Sequence, residues 1–176
     1  MKYRSIVICG KIASGTSTAA KSVSKKLNLK YESAGDFFRK YVLENNIPLH
    51  DKAQIPDKLD QKIDKRLTNL AKNGGYVIDS HYLGYFCRQF PQVLKVLLVC
   101  SDEERFKRAL ARIHTHTETV NQIKKREQSH IEKFQKLYSK EDYENPKFFD
   151  LVIDTTHKSK KKVVEEIVKS FSTCLP

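Results

Sequence analysis

Residues 10–18 read Gly10-Lys11-Ile12-Ala13-Ser14-Gly15-Thr16-Ser17-Thr18. This stretch lies between an apolar, strand-like run at residues 4–9 and an amphipathic, helix-like run at residues 17–27. Glycines in such a loop let the backbone wrap closely around a phosphate group, and the N–H groups at the start of the helix then face the anion. The stretch therefore predicts a phosphate-binding loop, with the hydroxyl of Ser17 as a magnesium ligand.

One residue departs from the usual phosphate-loop pattern, which asks for lysine after the second glycine. This chain has Thr16 there. On the loop alone, a strand-to-helix turn without a ligand is nearly as good an interpretation as phosphate binding. An active enzyme needs another cation in place of the lysine, because losing one preorganised donor typically costs about 2.7–4 kcal/mol in the barrier.

The rest of the chain alternates short, β-branched runs with longer helical patterns. The further strand-like runs are residues 30–33, 76–79, 95–100 and 151–153. This alternation predicts an α/β fold with a five-stranded, mainly parallel sheet and helices on both faces. Asp36 is placed to cap a helix over residues 36–45.

Composition limits the class of protein and its partners. A length of 176 residues is usual for one domain, and no apolar stretch approaches the roughly 20 residues of a membrane helix. The start of the chain lacks a signal-peptide pattern, and the four cysteines lack metal-binding spacing. We therefore expect a cytoplasmic protein without a membrane partner. The net charge of +12 predicts an anionic partner, either a polymer or a small nucleotide.

Five motifs occur in one order between about residues 5 and 155. They are Gly15-Thr16-Ser17-Thr18, Ser33-Ala34-Gly35-Asp36-Phe37-Phe38-Arg39, Arg105-Phe106-Lys107-Arg108 leading to Arg112, Lys125-Arg126-Glu127 with Lys133-Phe134 and Leu137-Tyr138, and Phe149-Asp150-Leu151-Val152-Ile153-Asp154-Thr155. Together they resemble the cytidylate kinase-like family of P-loop nucleoside monophosphate kinases, particularly its archaeal type. Some members of that type have Gly-Thr-Thr-Thr in place of Gly-Lys-Thr-Thr.

The resemblance implies a P-loop NTPase fold in one domain over residues 1–176. It implies a helical acceptor-binding segment at about residues 36–73 and a small lid at about residues 108–130. The implied reaction transfers the γ-phosphoryl group of ATP, with Mg²⁺, to CMP or dCMP.

The resemblance also implies roles for individual residues. Residues 10–18 would hold the donor phosphates, and Ser17 and Asp79 the magnesium ion; the alternative for Asp79 is a helix cap for the residues from Tyr82 onward. The expected acceptor-binding residues are Ser33, Asp36, Arg39, His81 and Arg126. The expected catalytic cations are Lys11, Arg108, Arg112 and Arg126, with the lid arginines closing over the γ-phosphate to replace the missing lysine.

Two departures keep other functions open. The family commonly has Gly-Arg after the third-strand acid, where this chain has Ser80-His81, and often arginine where it has Lys133. The alternatives are a kinase for another monophosphate, of the AMP type, and a nucleotide-binding protein with weak or no kinase activity. The charge alone also suggests nucleic-acid binding, but we expect small nucleotides as partners and a monomer.

Overall fold

A computed structural model describes residues 3–48, 51, 54–111 and 118–173. Strands and helices alternate along these residues as the sequence predicts. Their bounds are β1 Ser5–Cys9, α1 Thr16–Leu27, β2 Lys30–Ser33, α2 Ala34–Glu44, α3 Asp57–Asn73, β3 Tyr76–Asp79, α4 Leu83–Phe86, β4 Val93–Val99, α5 Asp102–Leu110, α6 Val120–Leu137, β5 Leu151–Asp154 and α7 Lys160–Thr173.

The five strands form one sheet in the order β2-β3-β1-β4-β5. All four pairings are parallel. The predicted α/β fold with a five-stranded, mainly parallel sheet is confirmed. Because β1 lies in the centre, the loop that follows it opens in the middle of the sheet's carboxyl edge, where ligands bind in folds of this kind.

Helices cover both faces of the sheet, and alternate residues of each strand pack against opposite helices. Ile6 and Ile8 of β1 pack in the core with α1 and α7. Val7 and Cys9 pack in a second core with α3 and α4. Burial on both faces explains why the central strands are almost wholly apolar.

The start of α2 differs from the sequence prediction. The cap is Ser33, whose hydroxyl accepts a hydrogen bond from the N–H of Asp36 at 3.1 Å. Asp36 lies in the first turn instead, where its carboxylate pairs with Arg39. The prediction that Asp36 caps this helix is therefore wrong, because the helix begins directly at the end of β2.

Two features around β3 also differ. Strand β4 begins at Val93, two residues earlier than predicted, and α4 is one turn that has no predicted counterpart. Tyr82 precedes α4 without a side-chain cap, so Asp79 does not cap it. Instead, Tyr82 and Tyr85 are buried against Phe134 of α6.

None of the helices in the described part of the chain combines the length and the apolar composition that crossing a membrane requires.

Candidate active site

The loop between β1 and α1 has the backbone that phosphate binding requires. Gly10 has φ +152°, and a Cβ there would lie 2.3 Å from the carbonyl oxygen of Leu98. Gly15 has φ +104° and begins α1 without any side-chain cap. Since no acidic side chain lies in the first turn of α1 either, the N–H groups of this turn can bind an anion.

The middle of the loop is held by an ion pair that comes from two later helices. Arg105 of α5 is 1% exposed, and its guanidinium donates to the carbonyl of Ile12 at 2.9 Å and to Glu127 of α6 at 2.5 Å. Glu127 in turn accepts from the N–H of Ile12 at 3.2 Å. Both polar groups of one residue are thus fixed by side chains more than 90 positions away.

Further contacts hold the same loop. The side chains of Ile12 and Ala13 pack against Ala109 of α5 and Ile123 of α6. The hydroxyl of Thr155, just after β5, donates to the carbonyl of Ser14 at 2.9 Å. The loop's conformation therefore depends on α5, α6 and the end of β5 together.

The predicted magnesium ligands lie side by side. The hydroxyl of Ser17 donates to the carboxylate of Asp79 at the end of β3. Burial raises the pKa of Asp79, whereas hydrogen bonds from Ser17 and Thr16 and the charge of Arg39 lower it. Hydroxyl and carboxylate oxygens are the ligands that Mg²⁺ takes, so these residues fit the ion.

Thr16 lines the cleft, but its short side chain brings no positive charge there. A hydrogen bond from this side chain lowers the pKa of Asp79. The residue that replaces the usual lysine therefore favours the charged form of the predicted magnesium ligand and supplies no cation.

A cleft joins the phosphate loop to the residues predicted to bind the acceptor. Its lining includes three cationic side chains, a buried carboxylate and an imidazole, which are Lys11, Arg39, Arg126, Asp79 and His81. The cleft continues into a pocket between α2, α3 and α6. Two anionic groups could meet in this cleft among positive charges.

Arg39 lines both the cleft and this pocket, and Asp36 is its partner in an ion pair. The guanidinium of Arg39 pairs with the carboxylate of Asp36, which also accepts from the hydroxyl of Tyr31 at 3.3 Å. A Cβ on Gly35 would lie 3.2 Å from Arg39, so the glycine leaves room for the guanidinium. Ser33 is buried as the helix cap and points its hydroxyl at the backbone.

Arg126 and His81 lie on the opposite wall. Arg126 is 7% exposed and pairs with Glu118 at 3.0 Å. The ring of His81 lies 4.5 Å from that of His130, centroid to centroid. Both Arg126 and His81 line the cleft and the pocket.

The structure brings Arg108 to a different place from the other predicted cations. Its guanidinium donates to the carbonyl of Thr155 at 2.7 Å and pairs with Glu104. It lines a second pocket, formed by the phosphate loop, the end of α5 and the start of α7. Arg112 lies outside the described residues.

Comparison with known proteins identifies the family. A family model described as an AAA domain matches residues 6–135. A cytidylate kinase from Ignicoccus hospitalis is 34% identical over 92% of this chain and 95% of its own length. One from Sulfolobus acidocaldarius is 35% identical over 93% and 91%. The chain belongs to the cytidylate kinase-like family of P-loop nucleoside monophosphate kinases. It is therefore a P-loop nucleotide kinase.

Solved structures of other kinases share the fold of this family member. Shikimate kinase from Acinetobacter baumannii superposes with a TM-score of 0.66 at 14% identity, covering 99% of this chain and 96% of that one. A gluconokinase from Sinorhizobium meliloti gives 0.63 at 17% identity, covering 98% and 94%. At such low identities the likeness shows the P-loop kinase fold alone.

The sequence analysis missed two residues that hold the phosphate loop. Arg105 and Glu127 belong to motifs that the sequence shows, but their roles do not follow from those motifs. Because Arg105 and Asp102 are three residues apart on the same helix, local spacing accounts for their ion pair. No local pattern indicates contacts that reach across the fold.

We expect Glu127→Gln to weaken both the fold and the binding of ATP. The substitution removes the charged partner of a buried arginine, a change that typically costs about 3–5 kcal/mol of stability, and it loosens the Ile12 backbone. Thermal unfolding and the KM for ATP report the two effects. Glu132→Gln, on an exposed position of the same helix, is the matched control. An unchanged KM for ATP in a folded Glu127→Gln variant would contradict this role.

Stability should also depend on pH through Glu144. Burial raises the pKa of this carboxyl from 4.5 to about 7, Lys11 opposes the rise, and Asp142 adds to it. A carboxyl with a raised pKa in the folded state stabilises below its unfolded pKa, and this contribution is lost as the pH rises through the folded value. The melting temperature of the wild type should therefore fall relative to Glu144→Gln between pH 5 and pH 8.

The control for this prediction is Glu141→Gln. The pKa of Glu141 is lowered by its hydrogen bond with Lys147, so its contribution is already complete at pH 5 and stays constant above it. A constant difference between the wild type and Glu144→Gln across the same range would show that burial does not raise the pKa of Glu144.

Proposed function

We propose that this chain transfers the γ-phosphoryl group of ATP to CMP or dCMP. The observation that supports this most is the cleft in which the phosphate loop, the Ser17–Asp79 pair and the cations Arg39 and Arg126 meet. Phosphoryl transfer needs two anionic reactants held in line among positive charges and little covalent chemistry from the protein. The choice of a cytidine acceptor follows from the named relatives.

On the donor side, residues 10–18 bind the triphosphate with backbone N–H groups. The buried Arg105–Glu127 pair keeps the Ile12 backbone in place, so the loop is formed before the nucleotide arrives. The pocket beside α7, with Arg108 on its wall, takes the rest of the donor nucleotide. Ser17 and Asp79 hold Mg²⁺, which neutralises phosphate charge when bound.

On the acceptor side, Arg39 and Arg126 bind the monophosphate from opposite walls. Arg39 exchanges part of its contact with Asp36 for the phosphate, and a guanidinium can bind two phosphate oxygens at once. His81 completes the rim of the pocket, while Ser33 and Asp36 shape the start of α2. The segment at about 36–73 is proposed as the acceptor-binding part and that at about 108–130 as the lid.

Other residues supply the positive charge that a lysine at position 16 would carry. Arg126 lies buried in the wall of the cleft, and Lys11 extends from the loop itself. We assign the charge on the transferring group to Arg126, assisted by Lys11, with Arg112 joining them if the lid closes. Arg108, held by carbonyl groups of residues 155 and 156, serves the donor pocket.

A panel of monophosphates tests the reaction itself. With ATP and Mg²⁺, coupled ADP production should be fastest with CMP or dCMP and slower with UMP, AMP, GMP and dTMP. If AMP were the best acceptor, the AMP-type alternative would replace this proposal. If no monophosphate stimulated ATP consumption, the chain would be a nucleotide-binding protein without kinase activity.

Arg126→Ala should reduce kcat sharply. Loss of one preorganised donor in a catalytic site lowers kcat by roughly 100- to 1,000-fold. The neighbouring exposed residue provides the control, since Lys125→Ala removes the same charge from the surface of α6. Equal kcat values for the folded Arg126→Ala variant and the wild type at saturating CMP would exclude this role.

A further inference from the structure

Helices α1 and α7 concentrate positive charge on one side of the molecule. α1 contains three lysines and neither aspartate nor glutamate, and residues 158–169 contain five lysines against two glutamates, so that the two segments supply half of the net charge of +12. The helices pack against each other and against the same face of the sheet, where Val23 shares a core with Val163. Their exposed lysines form a basic face, which consists of Lys21, Lys25, Lys26, Lys160, Lys161 and Lys162.

Few charges of these two helices are neutralised within the molecule. In the described part of the chain, the ion pair of Lys158 with Glu166 at 2.8 Å is the only one that a lysine of α1 or of residues 158–169 forms. Residues 160–162 are all lysines and fill the first turn of α7, which contains no acidic side chain. Since the helix dipole opposes cations at this end of a helix, these lysines do not stabilise their own helix, and their charge is left for an anion from outside.

The proposed nucleotide sites use only one end of the basic face. Lys160 lines the donor pocket, but Lys25 and Lys26 lie in the last turn of α1. They follow Thr16 by nine and ten residues, which the helical rise converts to about 14 Å from the phosphate loop. This distance exceeds the Debye length of about 8–10 Å at moderate salt, so a triphosphate at the loop is screened from them. An anion that contacts the whole face must be longer than one nucleotide.

The chemistry of the face favours a nucleic acid over a membrane. Helices that bind a membrane surface insert apolar side chains beside their cations. The large exposed hydrophobic residues of the described chain lie on other elements, at Leu43, Val99, Leu110, Ile131 and Val152. Phosphate contacts by lysine are sufficient to hold a nucleic acid without sequence preference. Because the lysines are spread over two helices, a flexible single strand can follow them more easily than a rigid duplex can.

We propose that the basic face of α1 and α7 binds single-stranded RNA through its phosphate groups and does not read its sequence. This partner is additional to the small nucleotides of the proposed function. Because most of the face lies away from the cleft, RNA and the two nucleotides bind at the same time.

Fluorescence anisotropy with a labelled oligouridylate tests this binding in the wild type. Saturating CMP and a non-hydrolysable ATP analogue keep the nucleotide sites filled. If about five lysines contact phosphates, the logarithm of the affinity should fall with the logarithm of the salt concentration at a slope of about −3.5, or roughly a hundredfold between 50 and 200 mM salt. The absence of binding at 50 mM salt, or displacement of the RNA by the two nucleotides, would overturn the inference.

Two triple variants with the same change of charge locate the RNA. The variant K25Q/K26Q/K161Q loses three lysines of the basic face, so its salt slope should become shallower by about 2 and its affinity at 50 mM salt should fall at least roughly tenfold. The control K58Q/K62Q/K65Q removes three exposed lysines from α3, which packs on the other face of the sheet, and should bind RNA nearly as the wild type does. Equal losses in the two variants would show a general effect of net charge and would overturn the inference.

Two competing partners and the kinase reaction complete the test. Tighter binding to phosphatidylglycerol vesicles, or to an RNA duplex of the same length, would overturn the choice of single-stranded RNA. Turnover is a separate measurement, because the three lysines replaced on the basic face lie outside the proposed catalytic and nucleotide-binding residues. If the wild type binds RNA as expected but phosphorylates no monophosphate, the kinase proposal fails and the basic face stands. If it phosphorylates CMP but binds no RNA, the reverse holds.

Discussion

Parallel pairing of β1 with β3 and β4 is the constraint on which the whole site depends. The pairing aligns Ile8 with Asp79, and β2 brings Ser33 opposite the same aspartate. Strands β1, β2 and β3 therefore end at one edge of the sheet, where the phosphate loop, the Asp79 carboxylate and the start of α2 come together. The other contacts of the site are made with these three groups, whose positions follow from the register.

The phosphate loop owes its shape to distant side chains as much as to its own sequence. Its two glycines permit the turn, but the Ile12 backbone is fixed by Arg105 and Glu127, and the Ser14 carbonyl by Thr155. Burying an arginine carries a desolvation cost that only a complete set of partners offsets. Because Asp102, Glu127 and a backbone carbonyl supply those partners, α5 and α6 are joined to the loop as one polar unit.

Local patterns in the sequence were sufficient for the fold and for the part of the site near the strand ends. The loop at residues 10–18, the strand that ends at Asp79 and the apolar faces of the long helices follow from periodicity and glycine placement. The roles of Arg105 and Glu127 do not, because they depend on contacts with residues 22 to 115 positions away. The cap at Ser33 was missed because strand and helix adjoin with no loop between them.

Helix α6 is anchored at three levels along its length. Glu127 binds the phosphate loop, Lys133 pairs with Asp57 and Asp60 of α3, and Tyr138 binds Asp64. A rigid swing of the helix would break all three connections together. From Glu127 onward, α6 is therefore expected to move as one body with the phosphate loop and α3.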